Sequence, residues 1–332
     1  YISILFVIRI KSRERLTVIF EASQNLVILG AGSIGTSFAA AFSDAGWRVV
    51  VSDPVPVGSQ AFNQCVDQQK GAIALAGLAR GREEGTIDIV SSPKVALKVA
   101  SLVLECGPEE LSIKREIFAE LLNETPKETL LATASSAIPI SQIVADAEQQ
   151  ARCLVAHPVN PPSVLRLIEL CPAPGTSEYF IERAKTLFAS AGFQAAVLGR
   201  EIEGFILNRL QGAVLREAYR LVDEGIAEPN DIDNVMRLGL GPRWALSGPF
   251  ETAELNTPGG VAAHATRMGP AYKRMGEARG ESVEWTPELV DRVVRARNKA
   301  RGKITIPERA AWRSRAVAQL VSIRDRLTRG DV

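Results

Sequence analysis

The chain has 332 residues and a formal net charge of +1, with 46% apolar and 23% charged residues. This length predicts about two domains with a large apolar core, and the balanced charge argues against a nucleic-acid partner. Four scattered cysteines without CxxC spacing argue against a disulfide framework and fit a reducing, cytoplasmic location. With only two histidines, a histidine-based metal site is not expected, and we predict no metal.

Residues 1–22 open with an apolar run that is too short to cross a bilayer, which needs roughly 20 apolar residues. Positive charges follow this run rather than precede it, unlike the order in a secretory signal. We therefore expect an extension that the fold does not use, and no membrane partner.

Strand-like and helix-like segments alternate from Leu26 to about Leu198. The apolar runs predict strands at 26–30, 47–53, 86–90, 101–106, 128–135, 152–156, 164–170 and 194–198. Amphipathic patterns predict helices at 33–46, 59–80, 109–122 and 177–191. This alternation, with near-continuous apolar strands, predicts an α/β fold: a Rossmann-like domain over 23–199 with a mostly parallel sheet.

The pattern changes near residue 200, where we place the domain boundary. Residues 201–225 predict a long helix ending at a glycine, and a second helix begins at Pro229. Residues 239–260, rich in glycine and proline, predict turns, and helical patterns then continue. We expect 200–332 to be an all-α C-terminal domain.

Gly30, Gly32 and Gly35 stand in GxGxxG spacing, directly after the first predicted strand and at the start of a helix. In a dinucleotide site the first glycine allows a tight turn, the second lets the backbone approach a pyrophosphate, and the third lets helix pack on strand. N–H groups around Ser33 and Ile34 would face the phosphates at the positive end of the helix dipole. The pattern predicts a dinucleotide site; a glycine turn in another α/β protein is the alternative.

Asp53 ends the second predicted strand, where an acidic residue contacts the ribose hydroxyls in sites of this kind. A carboxylate there repels the 2′-phosphate of NADP, and no arginine follows among the next residues. The sequence therefore predicts NAD rather than NADP as the cofactor.

His157 follows the predicted strand 152–156, at the carboxyl edge of the sheet, where ligands bind in open α/β folds. Glu169 lies on the next apolar strand, and a chain reversal at the intervening prolines would return it towards His157. A carboxylate on an apolar strand is costly without a partner. We expect Glu169 to hold one imidazole nitrogen while the other acts as a general base. The alternatives are a structural histidine and a glutamate at the rim.

Two further polar groups draw attention. Ser135 and Ser136 end the strand 128–135 at the same sheet edge, although a helix cap before Pro139 would also explain them. Asn208 shares a helix face with small and polar residues, which indicates close approach to another surface. Interdomain packing explains Asn208 equally well.

These segments together resemble the NAD-dependent 3-hydroxyacyl-CoA dehydrogenases over roughly residues 25–300. Within that family the resemblance is strongest to the branch of lambda-crystallin and L-gulonate 3-dehydrogenase. It is carried by "GAGSIG", "ECGPEELSIKREIF", "SSAIP", "AHPVNPP" with the following Glu169, "GFILNRLQ", "EAYRLVDEGIAEPNDID" and "GPFET".

The resemblance implies roles for single residues. The catalytic histidine and glutamate of the family fall on His157 and Glu169. Its substrate-binding serine falls on Ser136 rather than Ser135, and its substrate-contacting asparagine falls on Asn208.

Further roles are implied around this site. Glu109 and Lys114 would contact the cofactor together with Asp53 and the start of the first helix, and Asn160 would support the site. The family also implies a homodimer formed through the helical C-terminal domain.

The implied activity is NAD-dependent oxidation of a 3-hydroxy group. From residue 54 to residue 79 the only cation is Lys70, whereas CoA phosphates favour several lysines or arginines. This favours a small hydroxy acid, as in the gulonate branch. Two alternatives stay open: a 3-hydroxyacyl-CoA (3-hydroxybutyryl-CoA) dehydrogenase of fatty acid metabolism, and a non-catalytic NAD-binding structural protein.

Overall fold

A computed structural model describes residues 24–54, 58–81, 83–257, 260–279, 288, 295, 299 and 302–329. The expected extension at 1–22 lies outside the described residues. The strands are β1 (Asn25–Leu29), β2 (Arg48–Ser52), β3 (Ile87–Val90), β4 (Leu102–Glu105), β5 (Leu130–Thr133), β6 (Cys153–Pro158), β7 (Leu167–Pro172) and β8 (Gln194–Val197).

Helices lie between these strands and after them. They are α1 (Ser33–Asp44), α2 (Ser59–Leu75), α3 (Lys94–Leu97), α4 (Leu111–Glu124), α5 (Ile140–Ile143), α6 (Glu178–Ser190), α7 (Leu207–Asp223), α8 (Pro229–Asn234), α9 (Gly241–Leu255), α10 (Gly260–Glu277) and α11 (Ile306–Arg329). A 3-10 turn (Gln149–Arg152) precedes β6, and a π-helical segment (Val235–Leu240) joins α8 to α9.

The strands form one sheet in the order β3-β2-β1-β4-β5-β6-β7-β8. All neighbours pair in parallel except β6 and β7, which are antiparallel. This confirms the predicted mostly parallel, Rossmann-like sheet followed by helices. Both faces are covered, which is why the central strands read as continuous apolar runs.

Two apolar clusters fill the two faces of the sheet. Phe38 of α1 and Phe188 of α6 pack on one face. Phe118 of α4 packs on the other, together with Phe205, which precedes α7. The sheet is therefore the middle layer, and its carboxyl edge is the place where chain segments from several strands meet.

The structure corrects two predicted elements after β8. The helix predicted at 201–225 begins only at Leu207, because Gly204 and Phe205 adopt left-handed backbone angles. The turns predicted at 239–260 were wrong: this segment is mostly α9, kinked at Gly248 before Pro249. Gly248 and Pro249 share a single kink, so the helix continues on both sides of these two residues.

The last helix returns to the sheet region. Ala318 and Val321 of α11 pack with Ala76, which follows α2, and with Val164, which precedes β7. The division of the chain near residue 200 stays a prediction. Among the described residues, no helix combines the length and apolarity that a membrane crossing requires.

Candidate active site

The glycine turn between β1 and α1 is shaped by close backbone contacts. Gly30 has φ +113°, and a Cβ on it would lie 2.6 Å from the carbonyl oxygen of Cys106. A Cβ on Gly35 would lie 2.0 Å from the carbonyl oxygen of Gly30. A Cβ on Gly32, by contrast, would meet no protein atom within 4 Å. The first and third glycines thus hold α1 against β1, and the second borders open space.

This open space adjoins the amino end of α1. Ser33 is exposed there and Ile34 is half-buried. Asp53 follows β2, and its Oδ2 accepts a hydrogen bond of 2.8 Å from the N–H of Ala31. Free space, helix-start amides and a carboxylate at the next strand end are the features that a bound NAD requires, so the residues fit this cofactor.

His157 and Glu169 meet across the antiparallel pair of strands. The register places them directly opposite each other on β6 and β7. His157 Nδ1 lies 2.7 Å from Glu169 Oε2, and the residues are only 5% and 2% exposed. The reversal that the prolines suggested therefore brings the two side chains together.

The second oxygen of Glu169 is also bonded. Oε1 accepts hydrogen bonds from the backbone N–H of Ile206 and of Leu207, at 2.8 and 2.9 Å. Burial opposes ionisation of Glu169, but the bond to His157 and these two amides outweigh it and hold the pKa of Glu169 below its ordinary value. The carboxylate is therefore ionised at neutral pH.

An ionised carboxylate only accepts hydrogen bonds, so Nδ1 of His157 donates to Glu169. Neutral imidazole then keeps its lone pair on Nε2, which makes no hydrogen bond to the described residues. Nε2 of His157 can therefore accept a proton, and the Glu169 carboxylate can stabilise the imidazolium that forms.

The two serines after β5 have different surroundings. Ser135 is buried, and its hydroxyl donates to Glu109 Oε1 at 2.5 Å and accepts from the N–H of Ile138. Ser136 is exposed, and its hydroxyl makes no hydrogen bond to the described residues. Its carbonyl oxygen accepts a bond of 2.9 Å from Asn208 Nδ2 of α7. The structure thus brings Ser136 and Asn208 together.

Glu109 and Lys114 belong to a charged cluster between β4 and β5. Glu109 Oε1 also accepts bonds from the N–H of Ser136 and of Ala137. Burial raises the pKa of Glu109, but its bond to Ser135, the Lys114 ammonium and those amides lower it overall. Lys114 is buried, with Nζ 3.5 Å from Glu109 Oε2.

Sequence reasoning assigned no role to Glu105, the centre of this cluster. It is fully buried, and its Oε2 accepts bonds from Lys114 Nζ at 2.8 Å and Thr133 Oγ1 at 2.6 Å. Its Oε1 accepts from the N–H of Gly107 at 2.7 Å. Its position at the end of an apolar strand was the available signal, the same one that marked Glu169.

Asn160 lies exposed in the turn between β6 and β7, and its side chain makes no hydrogen bond to the described residues. Phe205, also without a role in the sequence analysis, lies with its ring centroid 5.4 Å from that of His157. Nothing in the sequence distinguishes Phe205 from an ordinary core residue.

A sheet of this topology, a glycine turn that fits NAD and a buried histidine–glutamate pair define a dinucleotide-dependent dehydrogenase. The family model of the 3-hydroxyacyl-CoA dehydrogenase NAD-binding domain matches residues 25–202, and that of the C-terminal domain matches residues 204–304. The chain belongs to the 3-hydroxyacyl-CoA dehydrogenase family, whose members are NAD-dependent dehydrogenases that act on CH–OH groups.

Individual relatives cover nearly the whole chain. A lambda-crystallin homolog of Bos taurus is 35% identical over 321 residues, which cover 92% of this chain and 98% of that protein. L-carnitine dehydrogenase of Streptomyces griseus is 32% identical over 310 residues, covering 93% and 92%. The solved structure of the NAD+-dependent 5-formyl-3-hydroxy-2-methylpyridine 4-carboxylic acid 5-dehydrogenase has a TM-score of 0.78 at 22% identity, covering 91% and 98%, and supports the fold.

Proposed function

We propose that the chain oxidises the 3-hydroxy group of a small hydroxy acid with NAD, in the manner of an L-gulonate 3-dehydrogenase. The observation that carries the chemistry is the buried contact of 2.7 Å between His157 Nδ1 and Glu169 Oε2. In this proposal Nε2 of His157 takes the proton of the substrate hydroxyl. Glu169 fixes the tautomer and stabilises the imidazolium.

Ser136 and Asn208 hold the substrate oxygen in this proposal. Support comes from the exposed hydroxyl of Ser136 and from the bond that fixes Asn208 on the Ser136 carbonyl. Asn160, in the exposed turn after β6, supports the site from its rim.

When bound, NAD supplies the acceptor for the hydride that leaves the alcohol carbon. We assign its phosphates to the turn at Gly30, Gly32 and Gly35 with the amides of Ser33 and Ile34, and its ribose to Asp53. Glu109 is the exposed carboxylate beside this path. Lys114 is assigned to the cofactor as well; it is buried, with Nζ 3.5 Å from Glu109 Oε2.

The small size of the substrate is inferred from the charge of α2. Lys70, the only cation within α2, already pairs with Glu84 at 2.7 Å. A CoA phosphate cluster would require several uncommitted cations. Among the relatives, L-carnitine dehydrogenase of Streptomyces griseus is named for a free hydroxy acid, whereas a relative of Gibberella moniliformis, 30% identical, is named 3-hydroxyacyl-CoA dehydrogenase. The acyl-CoA substrate is therefore the alternative proposal.

We also propose a homodimer formed through the helical part at 200–332, and a cytoplasmic location. Support for the dimer comes from large apolar side chains left exposed there, among them Leu238 at 67% and Phe250 at 79%. Contiguous groups of exposed apolar side chains mark interaction surfaces, and Leu238 and Phe250 lie on two consecutive elements, the π-helical segment and α9.

The test is a comparison of kcat/KM with NAD for L-gulonate, 3-hydroxybutyrate, carnitine and 3-hydroxybutyryl-CoA. We expect a free hydroxy acid to be preferred. A preference for the CoA ester would instead assign the chain to acyl-chain oxidation, and no turnover of any alcohol would point to a structural NAD-binding protein.

The role of His157 is tested with His157→Gln on the best of these substrates. Loss of a general base is expected to lower kcat by about 10²–10⁴-fold, while NAD affinity, measured by fluorescence titration, stays unchanged. A variant with the kcat of the original protein would show that His157 is not the base.

A further inference from the structure

We propose that Phe205 is a positioning residue for His157, and that the left-handed turn Gly204–Phe205 aligns both members of the His157–Glu169 pair from the start of α7. This inference rests on the proposed role of His157 as the base. It concerns how the imidazole is held, a function that a single hydrogen bond to Glu169 does not provide alone.

The backbone of this turn is unusual. Gly204 has φ +75° and Phe205 has φ +49°, and Phe205 is the only non-glycine residue with positive φ in the described part of the chain. Bulky side chains disfavour this conformation, which persists only where the surrounding structure enforces it. Such strain is concentrated at functional sites in proteins.

The side chain of Phe205 contacts the imidazole directly. It is fully buried, and its ring lies at 45° to the His157 ring with centroids 5.4 Å apart. The Cβ–Cγ bond and the bond from Nδ1 to Glu169 together set the mean orientation of the imidazole. Packing against a flat, rigid aromatic ring restricts excursions of the imidazole about χ1 and χ2 and so narrows the range of directions open to Nε2.

The same turn contacts the other member of the pair. The two residues that follow Phe205 donate their N–H groups to Glu169 Oε1 at 2.8 and 2.9 Å. If the start of α7 moved away from the sheet, His157 would lose its aromatic neighbour and Glu169 would lose two donors together. The pair is therefore aligned only while α7 is docked on β6 and β7.

The test compares Phe205→Leu with Phe188→Leu, a control that removes an equally buried ring from the aromatic cluster of α6. Phe205→Leu is expected to lower kcat by about tenfold or more, since small misplacements of reacting groups are costly, with KM and NAD affinity little changed. Phe188→Leu is expected to lower the melting temperature but not kcat.

A spectroscopic readout separates alignment from stability. The chain has two histidines, so in a His264→Gln background the low-field Nδ1 proton of His157 can be followed by NMR. We expect its resonance to shift or broaden in Phe205→Leu and to persist in Phe188→Leu. Phe205→Met, whose flexible thioether fills space without a flat ring, is the second variant should leucine not fold.

The outcomes are distinct. Full kcat in the Phe205 variant, equal kcat losses in both variants, or an unaltered His157 resonance would overturn the inference. If His157→Gln is inactive while Phe205→Leu is fully active, only the inference fails. If His157→Gln is fully active, the proposed function fails and this inference with it.

Discussion

The free energy of unfolding depends on pH through the ionisation of Glu169. Its pKa is held below the ordinary carboxyl value in the folded chain, despite burial, by His157 and two amides. It therefore stabilises the fold above the unfolded-state pKa, and this contribution is lost as the pH falls through the lowered folded-state value. We predict that Glu169→Gln shows a smaller loss of unfolding free energy than the original protein between about pH 7 and about pH 3.5.

Urea unfolding at the two pH values measures this difference. Glu182→Gln is the matched control, because Glu182 is exposed and, among the described residues, its carboxylate pairs only with Lys185, one turn further along α6. It should keep the acid dependence of the original protein. An equally steep acid loss in Glu169→Gln would mean that the carboxylate is not ionised in the fold.

Polar residues inside apolar strands were readable from the sequence, because a buried carboxylate needs a partner. That argument located His157 and Glu169. It applies equally to Glu105 in "SLVLEC", which is fully buried and bonded to Lys114. The proposed role of Phe205 could not be predicted from the sequence. It depends on a left-handed backbone angle and on a ring contact with His157, and no residue pattern encodes either of them.

In the turn between β1 and α1, Gly35 is required by contacts within the protein, whereas Gly32 is required by the space that NAD would occupy. A methyl group at Gly35 would collide with the Gly30 carbonyl, whereas at Gly32 it would meet no protein atom. We predict that Gly35→Ala lowers the melting temperature and NAD affinity together. Gly32→Ala should keep the melting temperature of the free protein but weaken NAD binding by about tenfold or more, roughly 1.4 kcal/mol.

Differential scanning fluorimetry and NAD titration of the two variants check this pair of results. Unaltered NAD affinity in Gly32→Ala would place the pyrophosphate elsewhere. Gly71→Ala, within α2 and with no atom near its Cβ position, is a control that should leave NAD affinity unchanged and raise the melting temperature slightly, because alanine is the better helix former.

Strands and sheet helices were predicted well because buried parallel strands are continuous apolar runs and their helices are amphipathic. The helices after β8 were predicted less well. There the breaker residues gave a misleading signal, since Gly248 and Pro249 share one kink inside α9. The late start of α7 follows from its docking on Glu169, a tertiary contact that local sequence does not show.

The packing of α11 connects distant parts of the chain. Val321 is 3% exposed in the cluster with Ala76 and Val164, whereas the adjacent Leu320 is 53% exposed. We predict that Val321→Asp lowers the unfolding free energy by roughly 2 kcal/mol or more, because a buried charge without a partner is costly. Leu320→Asp should change it little.

Chemical denaturation of both variants measures this difference, and equal effects would show that α11 does not pack on α2. This contact could not be predicted from sequence. The helical pattern of 306–329 shows an apolar face but does not identify the element that covers it. The alanines at the contact, Ala76 and Ala318, are too small to mark a packing surface in the sequence. The homodimer stays a prediction for a related reason. The exposed apolar side chains indicate a surface that another chain can cover, but they do not identify that chain.

The antiparallel pairing of β6 and β7 has a consequence for how substrate preference can change. The ladder places His157 opposite Glu169, and in the connection at 159–166 Asn160 is exposed while Ser163 and Val164 are buried. A substitution at Asn160 therefore changes the surface beside the pair without disturbing the core residues or the ladder that keeps the base and its carboxylate opposed. Catalysis and substrate preference can change separately at this position, so exchange of this one side chain is a direct route to new alcohol specificities.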